Sequence, residues 1–132
     1  MRRRVATAPV GRLGTITSDG RPHLVPCCFA VDLDREVVYS AVDGKPKSTR
    51  RLRRLANVRA NPATALLVDH YASDWARLWW VRLDGSGRVV DTTGDEEHHA
   101  LTLLSTKYPQ YRRSPPAGPV LAIDITRWQS WP

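Results

Sequence analysis

The chain has 132 residues, enough for one domain with its own core, and its 42% hydrophobic and 25% charged content is that of a soluble globular protein. No apolar run approaches the roughly 20 residues that span a bilayer, and no apolar stretch follows the N-terminal arginines, so neither a membrane span nor a secretory signal is expected and cytoplasm is the default. The net charge of +7 points to anionic partners: nucleic acid, a membrane surface or a phosphorylated small molecule.

Met1–Pro9 is too short for a confident element, though it fits the tail of a helix. Gly11–Ser18 alternates through Leu13 and Ile16, and Asp19-Gly20 is a hairpin turn. Arg21–Val31 reads as the partner strand, confined by Pro22 and Pro26 to an edge or a bulge. Within it, Cys27 and Cys28 are adjacent, match neither zinc nor redox spacing, and read as small strand residues. Glu36–Val42 is a third strand, and a turn at Asp43-Gly44 follows. The helix after it runs to Asn61-Pro62, with Ser48 as N-cap and Leu52, Leu55 and Ala56 on one apolar face.

The charge pattern of that helix is unusual. A helix N-terminus carries positive dipole charge and prefers carboxylates nearby, yet Lys45, Lys47, Arg50 and Arg51 stand there. Free backbone N–H groups, a hydroxyl cap and four cations together describe a phosphate site; the plainer alternative is a solvated basic helix whose Leu52 and Leu55 face the core.

Ala63–His70 is a fourth strand, apolar enough to be buried. Trp75–Asp84 places Leu78, Trp80 and Arg82 on one face and Arg77, Trp79 and Val81 on the other, which requires cover on both faces, from the core or from another subunit. Gly85-Ser86-Gly87 reads as a hairpin turn and Arg88–Asp91 as the return strand. Thr93–Lys107 is a second helix, whose first turn carries Asp95, Glu96 and Glu97. Tyr108–Pro119 is a proline-rich connection without implied regular structure, and Val120–Trp131 is the closing strand. Three strands before the first helix is not a βαβ pattern, and the count of six or seven strands and two helices describes a small antiparallel barrel.

Other chemistry finds little support. His98 and His99 are helix neighbours that point apart, best placed on a solvated face rather than at a metal. His23 and His70 lack partners at ligand spacing. No nucleotide-loop, metalloprotease or nucleophile-elbow motif occurs, and Ser40 and Thr49 have no evident general base beside them. The tryptophans at 75, 79 and 80 suit a core or dimer interface more often than a stacking platform.

The order T-I-T-S-D-G-R-P-H-L-V-P, V-Y-S-A-V-D-G-K-P-K-S-T-R-R-L-R-R-L-A-N-V-R-A-N-P, L-L-V-D-H-Y, W-A-R-L-W-W-V-R and T-R-W-Q-S-W resembles the pyridoxamine-phosphate-oxidase-like split-barrel superfamily. More narrowly, it resembles the actinobacterial members that bind the deazaflavin coenzyme F420. The resemblance covers nearly all of the chain from Gly11 and implies a fold that is mainly β with two α-helices, a six-stranded antiparallel split β-barrel of the FMN-binding type. It implies a homodimer with cofactor sites at the interface, and a small-molecule substrate with no nucleic acid or membrane partner. Carried onto this sequence, Lys45, Lys47, Ser48, Thr49, Arg50 and Arg51 would hold the cofactor phosphate. Val25, Pro26, Cys27, Cys28, Ser40, Ala41 and Val42 would line the ring, and Trp79 or Trp80 would approach from the interface. The family usually has an N-terminal helix before the first strand, of which only a stub precedes Gly11, so a shortened start or a more open site is expected.

The function implied is hydride transfer between reduced F420 and an electron-poor small molecule, with no catalytic acid or base named and no metal. An FMN-dependent oxidase or reductase on the same barrel is the alternative. Arg53, Arg54 and Arg59 exceed what a phosphate alone requires and favour the deazaflavin with its carboxylate-bearing tail, if they are not merely solvated. A non-catalytic F420-binding protein, and a basic nucleic-acid-binding module with steep salt dependence, complete the alternatives.

Overall fold

The computed structural model describes residues 1–41, 49–116 and 118–132, with the backbone alone for residues 49–52. Four α-helices are present among them: α1 (Arg2–Thr7), α2 (Thr49–Ala60), α3 (Asp95–Lys107) and α4 (Pro109–Arg113). The strands are β1 (Gly11–Ile16), β2 (Pro22–Cys27), β3 (Ala30–Asp32), β4 (Val37–Ala41), β5 (Ala63–His70), β6 (Trp79–Val89) and β7 (Val120–Trp131). A single 3-10 turn spans Trp75–Arg77.

All seven strands join one antiparallel sheet in the order β2-β1-β5-β6-β7-β4-β3. The two end strands of that order, β2 and β3, are separated in the chain only by Cys28 and Phe29. Three Cα steps reach about 10–11 Å, so the two ends of the sheet must meet, and the sheet curls into a barrel that is open along this seam. The prolines of β2 sit where they were expected, on a strand paired on one side only. The Asp19-Gly20 hairpin also forms, with Gly20 at φ +82° and the Thr17 N–H bonded to the Arg21 carbonyl at 2.8 Å.

Four expectations about the elements themselves are corrected. Arg21–Val31 is two strands, because the chain changes sheet ends at Cys28-Phe29, and the described residues therefore hold seven strands rather than six. Gly85-Ser86-Gly87 is not a turn: β6 runs straight through it, with an irregularity in register at Asp84/Gly85. A Cβ on Gly85 would lie 2.3 Å from the Asp124 carbonyl oxygen, and one on Gly87 would lie 2.7 Å from Thr64 Cγ2. These glycines admit a neighbouring strand and helix rather than a reversal. The helices number four rather than two, since Pro109, pre-set for a helical first position, starts α4 in the stretch read as irregular. Finally, β5 alternates, with Thr64, Leu66 and Val68 buried and Leu67 outward, rather than being buried throughout.

The main core fills the barrel: Leu13, Leu66, Val68, Val81, Leu83, Leu121 and Ile123 point inward, Phe29 and Val5 close one end, and α2 contributes Leu55 and Val58. Outside the barrel α3 covers β4 and β7, with Ala100 packed among Val37, Tyr39, Val120 and Ala122. That double cover explains why all five residues of β4 are buried.

A polar network ties α3 to the sheet. Arg88 on β6 donates both terminal nitrogens to Glu96 at 2.6 and 2.7 Å and its Nε to Asp124 at 2.8 Å. Tyr39 donates its hydroxyl to the same Glu96 at 2.8 Å. These bonds, from Arg88 above all, hold the Glu96 carboxyl down at about 2, while burial pushes the Tyr39 phenol up to about 12. His99, expected on a solvated face, instead meets Asp32 through Nε2 at 2.7 Å; only His98 is exposed.

Candidate functional site

The seam creates a backbone problem. Cys28 and Phe29 leave both ladders, so their polar groups need other partners. Three side chains supply them. Ser40 donates to the Cys28 carbonyl at 2.8 Å. Tyr108, at the end of α3, accepts from the Phe29 N–H at 3.0 Å. Lys107 donates to the Phe29 carbonyl at 2.8 Å, with its ammonium 3.8 Å from the centroid of the Phe29 ring. The Tyr108 hydroxyl lies 2.9 Å from the Pro9 carbonyl and 3.1 Å from that of Phe29. It has one proton to give, and since Lys107 already serves Phe29, the Pro9 carbonyl receives it. Burial lowers Lys107 to about 8 and raises Tyr108 to about 12.

Against this clasp lies a cleft of about 300 Å³ lined by Val10, Pro26, Cys27, Cys28, Ala41, Arg54 and Tyr111. Its floor is the end of β2 and the link to β3, one wall is the end of β4, and α2 supplies the other through Arg54. The Arg54 Nε is buried and has no hydrogen-bond partner among the described residues. A buried guanidinium N–H without an acceptor is costly and invites an anionic or carbonyl oxygen. Burial pushes the Cys27 thiol up, against the opposing pull of the Ser40 hydroxyl and the Arg54 charge.

Other depressions are larger. A trough of about 980 Å³ runs between the Asp19-Gly20 hairpin and α2, lined by the turn residues Thr17, Ser18, Asp19 and Arg21 on one side and by residues of α2 on the other; His23 borders it with a buried Nδ1 that lacks a partner among the described residues. A third, of about 530 Å³, lies outside the barrel among Arg12, Leu67, Asp69, Tyr71, Trp80 and Arg82. The seam cleft gathers four of the site residues singled out in the sequence, whereas the third depression holds Trp80 by itself.

Of those residues, Pro26, Cys27, Cys28 and Ala41 come together in the cleft. Val25 turns inward against the barrel core, and Ser40 is buried behind the cleft, where it holds the Cys28 carbonyl. Trp79 packs on the core and stacks with His70 at 6.4 Å, while Trp80 lies on the outer face; neither lines this chain's own cleft. Thr49, Arg50 and Arg51 form the first turn of α2. Val42, Lys45, Lys47 and Ser48 fall outside the described residues. Of the surplus arginines, Arg53 and Arg59 are exposed and Arg54 belongs to the site. Sequence reasoning missed Lys107, Tyr108 and Tyr111. They come from the segment read as helix end and irregular loop, and only the sheet order brings them to the seam. Among the described residues no group of three or more His, Cys, Asp or Glu is placed to hold a metal.

The geometry has clear counterparts. The fold matches that of a conserved hypothetical protein of Mycobacterium tuberculosis at a TM-score of 0.76 and 21% identity, over 98% of this chain and 80% of that one. An FAD-binding protein of Mesorhizobium loti matches at 0.69 and 22%, over 98% and 89%, and the heme storage protein HutZ of Vibrio cholerae at 0.72 and 12%, over 98% and 89%. At these identities the likeness establishes the fold. No curated protein matches the chain. Residues 1–132 match the family model described as pyridoxamine 5'-phosphate oxidase, and the chain belongs to that family.

Proposed function

We propose that this member of the pyridoxamine 5'-phosphate oxidase family is an F420-dependent oxidoreductase that works on an electron-poor small molecule, with the deazaflavin ring in the seam cleft. The observation that carries the reading is the buried Arg54 Nε, which meets no acceptor among the described residues, in the wall of a cleft whose floor is Pro26-Cys27-Cys28. At about 300 Å³ the cleft is at the small end of ligand sites, of size for a ring system with its tail outside. When bound, the deazaflavin supplies the hydride chemistry.

The protein's part is to bind, orient and keep water out. Lys45, Lys47, Ser48, Thr49, Arg50 and Arg51 would hold the phosphate by charge-assisted bonds at the start of α2. Arg54 would give its Nε–H to a ring oxygen, and backbone groups of residues 25–28 and 40–42 would fix the ring plane. Phe29, fully buried, keeps the underside of the link dry. In a homodimer Trp79 or Trp80 of the second copy would cover the ring, a role supported by the outer face on which exposed Leu67 and Tyr71 lie beside Trp80 and exposed Trp131 is its strand partner.

FMN is the second reading, because the same cleft and phosphate residues suit it; the exposed cations Arg53 and Arg59, on the helix that borders the cleft, favour the deazaflavin with its acidic tail. Fluorescence titration with F420 and, separately, with FMN tests this. Saturation at one F420 per subunit, tighter than FMN, is expected. Tighter FMN binding would move the protein to the second reading, and binding of neither would overturn both. Arg54→Ala should weaken the preferred cofactor about tenfold or more, the worth of one charge-assisted hydrogen bond.

A further inference from the structure

Two thiols stand side by side at the seam. Cys27 ends β2 and Cys28 opens the link to β3, so the strand alternation that would send them to opposite faces stops between them, and both line the cleft. Both are free and partly accessible. Their surroundings are cationic: Arg54 and Lys107 act on Cys27, and Lys107 in turn feels both sulfurs. Electropositive, partly exposed positions are where thiols react, in contrast to sealed structural cysteines. Adjacent Cα atoms are about 3.8 Å apart across a trans peptide, short of the roughly 4.4–6.8 Å usual for a disulfide. A bridge between them is therefore strained and easily reduced, the property of a labile rather than a structural bond.

We propose that Cys27 and Cys28 form a reversible adjacent disulfide, with a low-molecular-weight disulfide as oxidant, and that its formation closes the seam cleft. Burial pushes the Cys27 thiol up, so the first attack is assigned to Cys28. Its thiolate attacks one sulfur of RSSR, expels RS⁻ and leaves a mixed disulfide on Cys28. Cys27 then attacks the Cys28 sulfur and expels the second RS⁻. Each expelled thiolate takes up one of the two thiol protons, so the protein loses two hydrogens and the oxidant becomes two RSH. The eight-membered ring twists the peptide between the two residues. That peptide includes the Cys28 carbonyl held by Ser40, and it leads directly into Phe29, gripped by Lys107 and Tyr108. Twisting it therefore displaces the cleft floor. The effect on cofactor binding rests on the function proposed above, whereas the disulfide chemistry does not.

The test treats the reduced full chain with oxidised glutathione and digests it with trypsin. The peptide 13–35 should appear about 2 Da lighter without added glutathione, the thiol count should fall from two to zero, and dithiothreitol should restore both. Cys27→Ser should stop at the glutathione adduct on Cys28. Persistent adducts on the wild-type chain, disulfides between chains, or unreactive thiols in the folded protein would each overturn the pair. Titration of the oxidised and reduced forms with FMN and with F420 should show binding at least tenfold weaker after oxidation, and equal binding would overturn closure. Failure of the reduced form to bind either cofactor would remove the proposed site and closure with it, while the mass measurement judges the thiol pair independently.

Discussion

Tyr108→Phe removes one oxygen from the clasp that holds the seam. The phenol accepts from the Phe29 N–H at 3.0 Å and lies 2.9 Å from the Pro9 carbonyl, and Phe29 is fully buried. The substituted ring keeps its packing against Ala30, Ala41, Leu104 and Tyr111, so loss of apolar burial does not enter. The buried N–H loses its acceptor among the described residues, which costs about 1–3 kcal/mol. The Phe29 carbonyl is still served by Lys107, and the Pro9 carbonyl is close enough to solvent to recover a partner. A net loss of about 1–2 kcal/mol follows, or roughly 3–10 °C in Tm for a chain of this length. Urea unfolding with a fixed slope measures it directly. Tyr71→Phe, on a side chain 70% exposed, serves as control and should stay within about 0.5 kcal/mol. A Tyr108→Phe loss no larger than that of the control would refute the clasp as the tie between β2 and β3.

Gly85→Ala should cost about 3 kcal/mol, because its Cβ would meet a backbone oxygen at 2.3 Å that cannot move without opening the β6–β7 ladder; a variant as stable as wild type would show that the irregularity absorbs a side chain. Arg88→Met leaves Glu96 and Asp124 without their cation, and with these groups partly exposed the expected cost at pH 7 is about 1–2 kcal/mol. Glu96 titrates at about 2 in the folded chain against about 4.3 unfolded, so its contribution is present above about pH 4 and lost as pH falls toward 2. Wild type and variant should therefore converge in stability in acid, and a gap independent of pH would refute the pairing. Lys107 titrates at about 8, against about 10.4 unfolded, so between those values the unfolded chain binds the extra proton and stability rises with pH. Urea midpoints at pH 7.5 and 9.5 should show wild type gaining on Lys107→Met; a constant difference would mean that the ammonium is not disfavoured at the seam.

Local signals in the sequence carried much of the fold. The Asp19-Gly20 turn, the edge prolines of β2, the amphipathic helix ending before Asn61-Pro62 and the closing strand all follow from residue chemistry within a few positions. What was not legible depended on distant partners. The Gly85–Gly87 run looks like a reversal until the Asp124 carbonyl and Thr64 are placed against it. His99 looks solvated until the helix lies over β3 and brings Asp32 within 2.7 Å. The cleft itself was half legible. Pro26 to Cys28 and Ala41 belong to strands whose ends could be read, and they line one cleft. Arg54 could not be separated from Arg53 and Arg59 by sequence, because which face of α2 turns toward the seam is decided by how Leu55 and Val58 enter the core. Lys107 and Tyr108 are 78 and 79 residues away from the Phe29 backbone that they hold, beyond the reach of any local pattern.

A flavin-type cofactor seated in the seam cleft should perturb the backbone around it. An amide chemical-shift map of the isotopically labelled protein, titrated with F420 and then with FMN, tests it most directly. Shifts are expected to concentrate at Val25, Cys27, Cys28, Ala41 and Arg54 and to saturate at one cofactor per subunit. Shifts concentrated instead along the trough at Ser18, Asp19, Arg21 and His23, or no saturable shifts with either cofactor, would contradict it.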